Sequence, residues 1–441
     1  MIVIMKQYII QFFLCVCPFI LNGQTIMSLR DCMQYAISHS AQIEIQQTHI
    51  DDARLSRRDA ILKTFTPFIS SGSYAYLNFG RSVDPETNTY MSVTSFNNGY
   101  SVSGNIVLFN GFSAVNNIRI AKTAINMGLT RAEQLQDKIC LAIIEAYCNV
   151  LYYKKMQEAL HSQVLTAQAN LNLVKKQEIL GQKSYADVIQ LEANLADREY
   201  QLIMVDNQYR DAMLTLKNLM LFPLDQEFDI LAEVPLFSDF SAEPTRLCHP
   251  SLQLSEWQMQ SAKLDWLTAR WRFAPSLSLS GGWSTSYYTY PRMDGYVAKP
   301  FFEQLTNNGG EYIQFSLSVP IYDGLSRYSN ISRKKNAFRR VKAEYEQTKH
   351  DVEAEIMRAT QDCEGAKSAL VQADKYMLIQ AKAYELSVKK FEQGIISPTE
   401  LRTASDNYLQ SQAEHLNSQL QYFIKHSVVN YYKGNHYINQ F

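Results

Sequence analysis

Two hydrophobic rhythms alternate along the chain, and they predict two kinds of element. In the first, apolar residues recur at steps of four and three. Leu160, Val164, Ala167, Leu171 and Val174 keep that step, and so do Val352, Ile356, Ala359, Cys363, Ala366, Leu370, Ala373 and Met377. Sustained four-three spacing is the seam of a coiled coil. No Gly or Pro falls between Leu129 and Leu180, so the first seam predicts one unbroken helix. A helix of ~65 residues spans ~100 Å at 1.5 Å per residue, more than a compact domain needs. The seams are rich in Ala, which lets helices approach closely. Gly365 interrupts the second helix at ~1 kcal/mol relative to Ala, so close packing against a neighbour is expected there.

Each long helix stops at a turn, and a second helix returns. The first turn is Gly181-Gln182-Lys183-Ser184, after which Val188, Leu191, Leu195, Leu202, Val205, Tyr209, Ala212, Leu216 and Leu219 mark the returning seam. The second is Gly394-Ile395-Ile396-Ser397-Pro398. Gly suits a left-handed C-cap, Ser an N-cap and Pro398 the first helical position. Asp187 and Glu400 stand three residues beyond the two serines, where an acidic side chain completes a capping box. Both hairpin tips are therefore built by capping chemistry, and the bland role of both carboxylates is capping and helix-dipole stabilisation.

The second rhythm has period two. Ile313, Phe315, Leu317, Val319 and Ile321 alternate with Gln314, Ser316 and Ser318, while Leu277, Leu279 and Trp283 alternate with Ser276, Ser278, Ser280 and Ser284. Earlier, Val102, Ile106 and Leu108 face away from Ser101, Ser103 and Asn105. Four strands are expected, at about 67–79, 100–110, 275–290 and 311–322. Apolar-out, polar-in alternation over ~10 residues has the length of a transmembrane β-strand. Tyr74, Tyr76 and Phe79, with Tyr287, Tyr288 and Tyr290, crowd the far ends and are expected to form an interfacial aromatic girdle. A soluble sandwich edge alternates in the same way. Four strands make no sandwich of useful size, however, and two hairpins leave open edges. Closure by several chains would remove those edges. The polar loops Arg81 to Asn98 and Pro291 to Gly310 are longer than tight turns require.

The chain also repeats itself. Leu108-Phe109-Asn110-Gly111-Phe112-Ser113 recurs as Ile321-Tyr322-Asp323-Gly324-Leu325-Ser326, and Val174-Lys175-Lys176-Gln177-Glu178 as Val388-Lys389-Lys390-Phe391-Glu392. Gly181-x-x-Ser184 returns as Gly394-x-x-Ser397, and His39-Ser40 precedes Pro67 much as His249-Pro250 precedes Pro275. The offset stays near ~210 residues, far beyond a solenoid period. Each copy reads as helix, two strands and two very long helices. The expected boundaries are 1–23 for a leader, 24–222 for the first repeat, 223–248 for a linker, 249–430 for the second repeat and 431–441 for a tail.

Composition narrows the function classes. The 441 residues carry a formal net charge of −1 and are 46% hydrophobic, which excludes wholesale disorder and gives no signature of nucleic-acid binding. Lys6 precedes an apolar run from Tyr8 to Leu21, followed by Asn22-Gly23-Gln24, which reads as a secretory signal peptide. The run is shorter than the ~18 residues of a membrane anchor. Leu14 and Val16 stand before Cys15 and Cys17 where lipidation would need a small residue. The remaining cysteines, Cys32, Cys140, Cys148, Cys248 and Cys363, form no CxxC pair and read as small apolar packing residues, not disulfides or a zinc site. The histidines sit in no HExxH frame, and no Gly-rich phosphate loop occurs. No enzyme activity, cofactor or metal is expected. Arg333-Lys334-Lys335 with Arg339-Arg340 reads as a solvated helix face, not a nucleic-acid patch.

With these motifs in place, the chain resembles the TolC family of outer-membrane efflux proteins over essentially its whole length after the leader. The resemblance rests on the twofold repeat, the corners Leu108-Phe109-Asn110-Gly111 and Val319-Pro320-Ile321-Tyr322-Asp323-Gly324, and the tip Gly181-x-x-Ser184-x-x-Asp187-Val188. It implies a mostly α protein with a membrane β-barrel. Three chains of four strands would make a twelve-stranded barrel above a periplasmic α-helical cylinder. An equatorial region is expected at Phe222 to Cys248 and Tyr431 to Phe441, although a glycine usual before Pro223 is absent. The implied function is passive conduction, as the exit duct of a tripartite export system. Energy would come from an inner-membrane transporter coupled through a periplasmic adaptor. The resemblance also implies that carboxylates near the second tip ring a constriction. Glu400 matches one such position, and Thr403 stands at the next. A different class, a periplasmic coiled-coil spacer or adhesin without a pore, would not need the alternating strands.

Overall fold

A computed structural model describes residues 25–84, 86–92, 94–233 and 249–441. The expected leader, residues 234–248 of the expected linker, and Cys248 lie outside the described residues. The chain divides into two compact units. One comprises the described parts of Met1–Ala41, Leu135–Thr245 and Glu355–Phe441, and the other those of Gln42–Gln134 and Arg246–Ala354. This division cuts across the sequence repeat, because each longest helix contributes residues to both units.

The first unit holds β1 (Thr25–Met27), α1 (Leu29–His39), most of α3 (Ser113–Ile179), α4 (Tyr185–Met220), β6 (Phe228–Ile230), most of α7 (Ser326–Glu392), α8 (Pro398–Tyr432) and a short 3-10 turn at Tyr437–Asn439. α3 and α7 are each 67 residues long. The core gathers Ile143, Tyr147 and Leu151 of α3, Leu216 of α4, Phe423 of α8 and Met33 of α1. β1 and β6 pair in parallel beside it. The Lys154 ammonium pins this ribbon, donating to the Asp229 carboxylate at 2.6 Å and the Ile230 carbonyl at 3.0 Å. Gln440 closes the C-terminal end, donating to the carbonyls of Ser427 and Asn435 at 3.0 and 2.9 Å. Burial pushes the thiols of Cys32, Cys140 and Cys148 up to about 12. They stay protonated at neutral pH and act as apolar packing groups.

The second unit holds α2 (Ala41–Phe65), β2 (Phe68–Asn78), β3 (Arg81–Val83), β4 (Tyr90–Ser92), β5 (Ser95–Phe109), α5 (Pro250–Trp271), β7 (Ser276–Thr289), α6 (Phe301–Asn307) and β8 (Gly310–Ser318). Its main sheet is antiparallel with the order β2-β5-β7-β8. β5 starts at Ser95, five residues before the expected Tyr100. β8 stops at Ser318, short of the expected 322, because Pro320 has no N–H for the ladder and restricts Val319 before it. The two long loops are partly structured. One contains the β3–β4 hairpin and the other contains α6. Gln304 of α6 takes the place of a missing strand residue, accepting from the Tyr288 amide and donating to the Tyr288 carbonyl, both at 3.0 Å.

α4 ends on Leu221, which takes the left-handed conformation with φ 54° and ψ 34°. This is where the sequence lacks the usual glycine, and the conformation forms without it. An L-residue there costs roughly 1–2 kcal/mol. The Leu221 side chain is exposed, so little packing is lost on removing it. Leu221→Gly is therefore expected to stabilise the protein by about 0.5–1 kcal/mol after the unfolded-state entropy of glycine is subtracted. The midpoint of denaturant unfolding checks this, and a lower midpoint would contradict it.

Candidate functional site

Three features carry the functional geometry: two strand-to-helix corners, the two faces of the sheet, and two helical tips.

At the first corner, Gly111 and Phe112 both adopt positive φ, 67° and 61°. Asn110 caps the new helix, its Oδ1 accepting from the Ala114 amide at 3.1 Å. Gly111 must be glycine, since a Cβ there would lie 2.4 Å from the Trp271 carbonyl oxygen and 2.7 Å from the Ala274 Cβ. The Phe112 ring packs 4.9 Å from Trp271. The second corner repeats the backbone: Gly324 and Leu325 have φ 64° and 65°, and the Asp323 carboxylate accepts from the Arg327 amide at 3.0 Å. Its surroundings differ. No atom lies within 4 Å of a Cβ built on Gly324, and Leu325 is 64% exposed. The same emptiness surrounds Gly365, where close packing was expected. That expectation fails inside a single chain.

The strand register sorts the sheet into two faces, because paired residues share a side. Ile106, Leu279 and Phe315 lie in one row, and Val102 pairs with Trp283 on the same side. Ile313, Phe315 and Leu317 on that side are 80%, 68% and 68% exposed. Such a surface suits lipid, not water. The opposite face carries Ser70, Ser103, Ser280 and Gln314. The expected aromatic girdle is corrected by this register. Tyr74 pairs with Gly99, Tyr76 with Asn97, and Asn97 with Tyr288, so all three tyrosines point to the polar face. Tyr287 is on the apolar side, paired with Asn98 in the row between Tyr100 and Phe96. Alternation of a strand fixes where each ring points, and the even spacing of Tyr74 and Tyr76 matches Ser70, not Ile69.

The tips are built as their residues dictate. Gly181 and Gly394 have φ 72° and 76°. The amides of Gln182 and Ile395 reach back to the carbonyls of Gln177 and Lys390 at 2.8 and 2.9 Å, closing two Schellman turns. Ser184 with Asp187, and Ser397 with Glu400, form reciprocal capping boxes, and Pro398 opens α8. The Glu400 Oε2 accepts from the Ser397 amide at 2.8 Å. The two tips lie side by side. Leu171, Val174, Val188, Leu191, Phe391 and Leu401 form one buried cluster, and the Thr399 hydroxyl donates to Gln190 at 3.3 Å. Of the eight seam positions named on α7, Val352 is buried and the rest are half-buried.

One residue at this end escaped the sequence reading. Arg198 is 1% exposed and pairs with Asp406 of α8, its Nη1 also donating to Gln201 at 3.1 Å. Arg402 bridges Asp197 at 3.3 Å and Asp406 at 3.7 Å. The signal was available. Arg198 falls on the four-three step between Leu195 and Leu202, where a charge needs a partner. Nearby, the rings of Tyr384 and Tyr408 stack at 5.5 Å. Burial holds the Tyr384 hydroxyl above its ordinary range.

Among the described residues no group of three or more His, Cys, Asp or Glu could hold a metal ion. No described helix is long and apolar enough to cross a membrane.

Residues 72–220 and 245–426 match the family model described as outer membrane efflux protein. No curated protein matches the chain by sequence. Among solved structures, the outer membrane protein VceC from Vibrio cholerae is similar with a TM-score of 0.76 at 14% identity, covering 92% of this chain and 96% of that one. The CmeC outer membrane channel of Campylobacter jejuni gives 0.74 at 16%, covering 93% and 86%. The open state of the MtrE outer membrane channel of Neisseria gonorrhoeae gives 0.74 at 15%, covering 93% and 89%. At these identities the likeness speaks to the fold: long helices with a small antiparallel sheet.

The two sheet faces predict unequal tolerance of charge. Leu317→Arg puts a guanidinium on the lipid side, at ~2–4 kcal/mol near the bilayer midplane, and is expected to lower outer-membrane yield sharply. Ser316→Arg puts it on the polar side and is expected to assemble near the wild-type level. Heat-modifiable mobility and membrane fractionation compare the two, and equal yields would contradict the register.

Proposed function

The chain belongs to the outer membrane efflux protein family, and we propose that three copies close into a single exit duct that conducts cargo passively out of the cell. It is not an enzyme, and it resides in the outer membrane. Three four-stranded sheets give a twelve-stranded barrel, and the long helices continue it as a periplasmic cylinder. In a membrane every backbone donor and acceptor must be paired, yet β2 and β8 each have one neighbour among the described strands.

The observation that carries the reading is the unequal pair of corners. Corner one is filled by the end of α5, at Trp271 and Ala274. Corner two has the same backbone, but among the described residues no atom lies within 4 Å of a Cβ placed on Gly324. The segment of the first copy that matches Trp271–Ala274 is Lys63–Thr66, at the end of α2, ahead of the matching Pro67. Its Phe65 is 69% exposed. A neighbouring chain's α2 end therefore fits corner two as α5 fits corner one, and β8 then meets the neighbour's β2 as β5 meets β7. A soluble spacer or adhesin leaves the exposed apolar face unexplained.

The reading places Gly181, Ser184, Asp187, Gly394, Ser397, Pro398 and Glu400 at the inner end of the duct. There a periplasmic adaptor and an inner-membrane transporter would engage it, the transporter supplying the energy. The corners at Asn110, Gly111, Asp323 and Gly324 turn barrel strand into cylinder helix. The equatorial tail 431–441 and the region from 223 belong to the girth of the cylinder.

Two measurements test this. Lys63→Cys with Leu325→Cys is expected to cross-link neighbouring chains with a short bis-maleimide, giving a covalent trimer on a denaturing gel. Monomers only, or an unending ladder, would count against closed threefold assembly. At the tip, Glu400→Gln keeps a side chain that still serves the capping position while removing three charges from the ring. Single-channel recordings are expected to show reduced cation preference. Unchanged selectivity would leave Glu400 with the capping role alone.

A further inference from the structure

The polar side of the sheet is unlike the lining of an ion-selective pore. Glu311 is the sole Asp, Glu, Lys, Arg or His within β2, β5, β7 and β8, and it pairs with Trp283 on the opposite, apolar side. The polar side instead combines serines, asparagines and glycines with a run of rings. Following β5 from Asn105 to Asn97, the rows carry Phe68 opposite Asn105, Tyr312 in the row of Ser103 and Gly282, Tyr74 opposite Gly99, and Tyr76 opposite Asn97. Eight residues of strand cover ~26 Å, so the rings run along most of the barrel height.

Glycine sets the attitude of two of these rings. A Cβ on Gly99 would lie 2.4 Å from the Tyr74 ring, and one on Gly282 would lie 3.0 Å from the Tyr312 ring. The rings of Tyr74 and Tyr312 thus lie over residues that have no side chain, close against the sheet. The ring faces left free are exposed: Tyr74, Tyr76 and Tyr312 are 58%, 53% and 45% accessible, and Tyr74 and Tyr76 stack at 5.9 Å with 19° between planes. Water-facing aromatic surface of this extent is unfavourable unless something covers it, and flat exposed rings are covered best by other flat rings.

We propose that this face is a binding track for planar aromatic molecules, which move along the exit barrel by stacking on Tyr76, Tyr74, Tyr312 and Phe68 in turn. The inference rests on closure of the sheet with its polar side inward. No strand residue on that side is charged, which favours cargo held by ring faces over cargo held by ion pairs. A succession of weak contacts also suits conduction, since each site must bind and release. Cationic aromatics gain a further attraction from the tyrosine faces.

The test uses the full-length protein in planar bilayers, with proflavine as a planar aromatic cation and tetraethylammonium as a cation without rings. Wild-type channels are expected to be blocked by proflavine at concentrations at least about tenfold lower. The double variant Tyr74→Ser/Tyr312→Ser is expected to weaken proflavine block by about tenfold, the equivalent of ~1.4 kcal/mol, and to weaken block by tetraethylammonium, which meets the rings through its charge alone, by no more than about threefold. Tyr74→Phe/Tyr312→Phe keeps the ring faces and is expected to stay within about twofold of wild type. Equal block of wild type by the two cations overturns the proposal, as does undiminished proflavine block in the serine variant. If the serine variant yields no channels, the wild-type comparison and the phenylalanine variant still decide. A wild-type protein that forms no channel at all removes the duct reading and this inference with it, a result distinct from a channel that ignores aromaticity.

Discussion

The constraint on which the rest depends is the pairing of backbone hydrogen bonds in a medium without water. A strand in lipid cannot leave its N–H and C=O groups bare. Four strands in one open sheet therefore cannot be a finished membrane structure, however well their side chains suit lipid. The apolar side meets the solvent requirement and the two edges do not. Every route out of this conflict needs more strands than the described residues supply, which is the physical ground for the proposed assembly.

On the proposed closure, the internal repeat supplies the geometry of assembly without new machinery. The protein already contains one finished junction between repeats: β5 against β7, with the end of α5 seated on the first corner and Gly111 allowing the approach. The second corner keeps the glycine, the positive-φ residue after it and the capping carboxylate, yet among the described residues nothing fills the place that Trp271 and Ala274 take at the first. The left-handed turn alone accounts for Gly324, but a helical glycine with no crowding around it, such as Gly365, is a poor use of backbone freedom unless something will crowd it. An intermolecular contact that copies an intramolecular one needs no separate geometry, because the same left-handed turn serves both.

Much of this was legible in the residues. Four-three spacing marked the long helices, and the glycine, serine and acidic residues of the tips marked the turns, because those signals are local and each has one physical cause. Strand alternation is legible as well, but the direction of particular rings is not. Tyr74 and Tyr76 stand near strand ends, where a girdle would lie, whereas their side follows from register with Ser70 and Gly99. The end of β8 was overrun because alternation continues through Val319 and Ile321 after Pro320 has already ended the ladder. Leu221 shows the opposite case: the missing glycine left the turn in place at a conformational cost. Arg198 does not stand out in the sequence because it interrupts an apolar seam and its partner Asp406 lies on a different helix, 208 positions away.

Arg198 also indicates what holds the tip in register. An apolar seam between long helices is tolerant of slippage, since one Leu or Ala resembles the next. A buried guanidinium is not tolerant, because a shift of one turn would leave it without Asp406 and expose an unpaired charge to the interior. Pairs of this kind add little net stability compared with a well-packed apolar alternative, yet removing one partner is strongly unfavourable. The region around Cys140 to Leu151 is a dense apolar core. The region around Arg198 has Arg402, Asp197 and Asp406 in shared contacts that are half open to water. The apolar core therefore fixes where the helices are joined, and the charge network fixes how α4 and α8 are aligned beneath the tips. A network that specifies alignment at small net stability is the part of a helical bundle that can be rearranged without unfolding it.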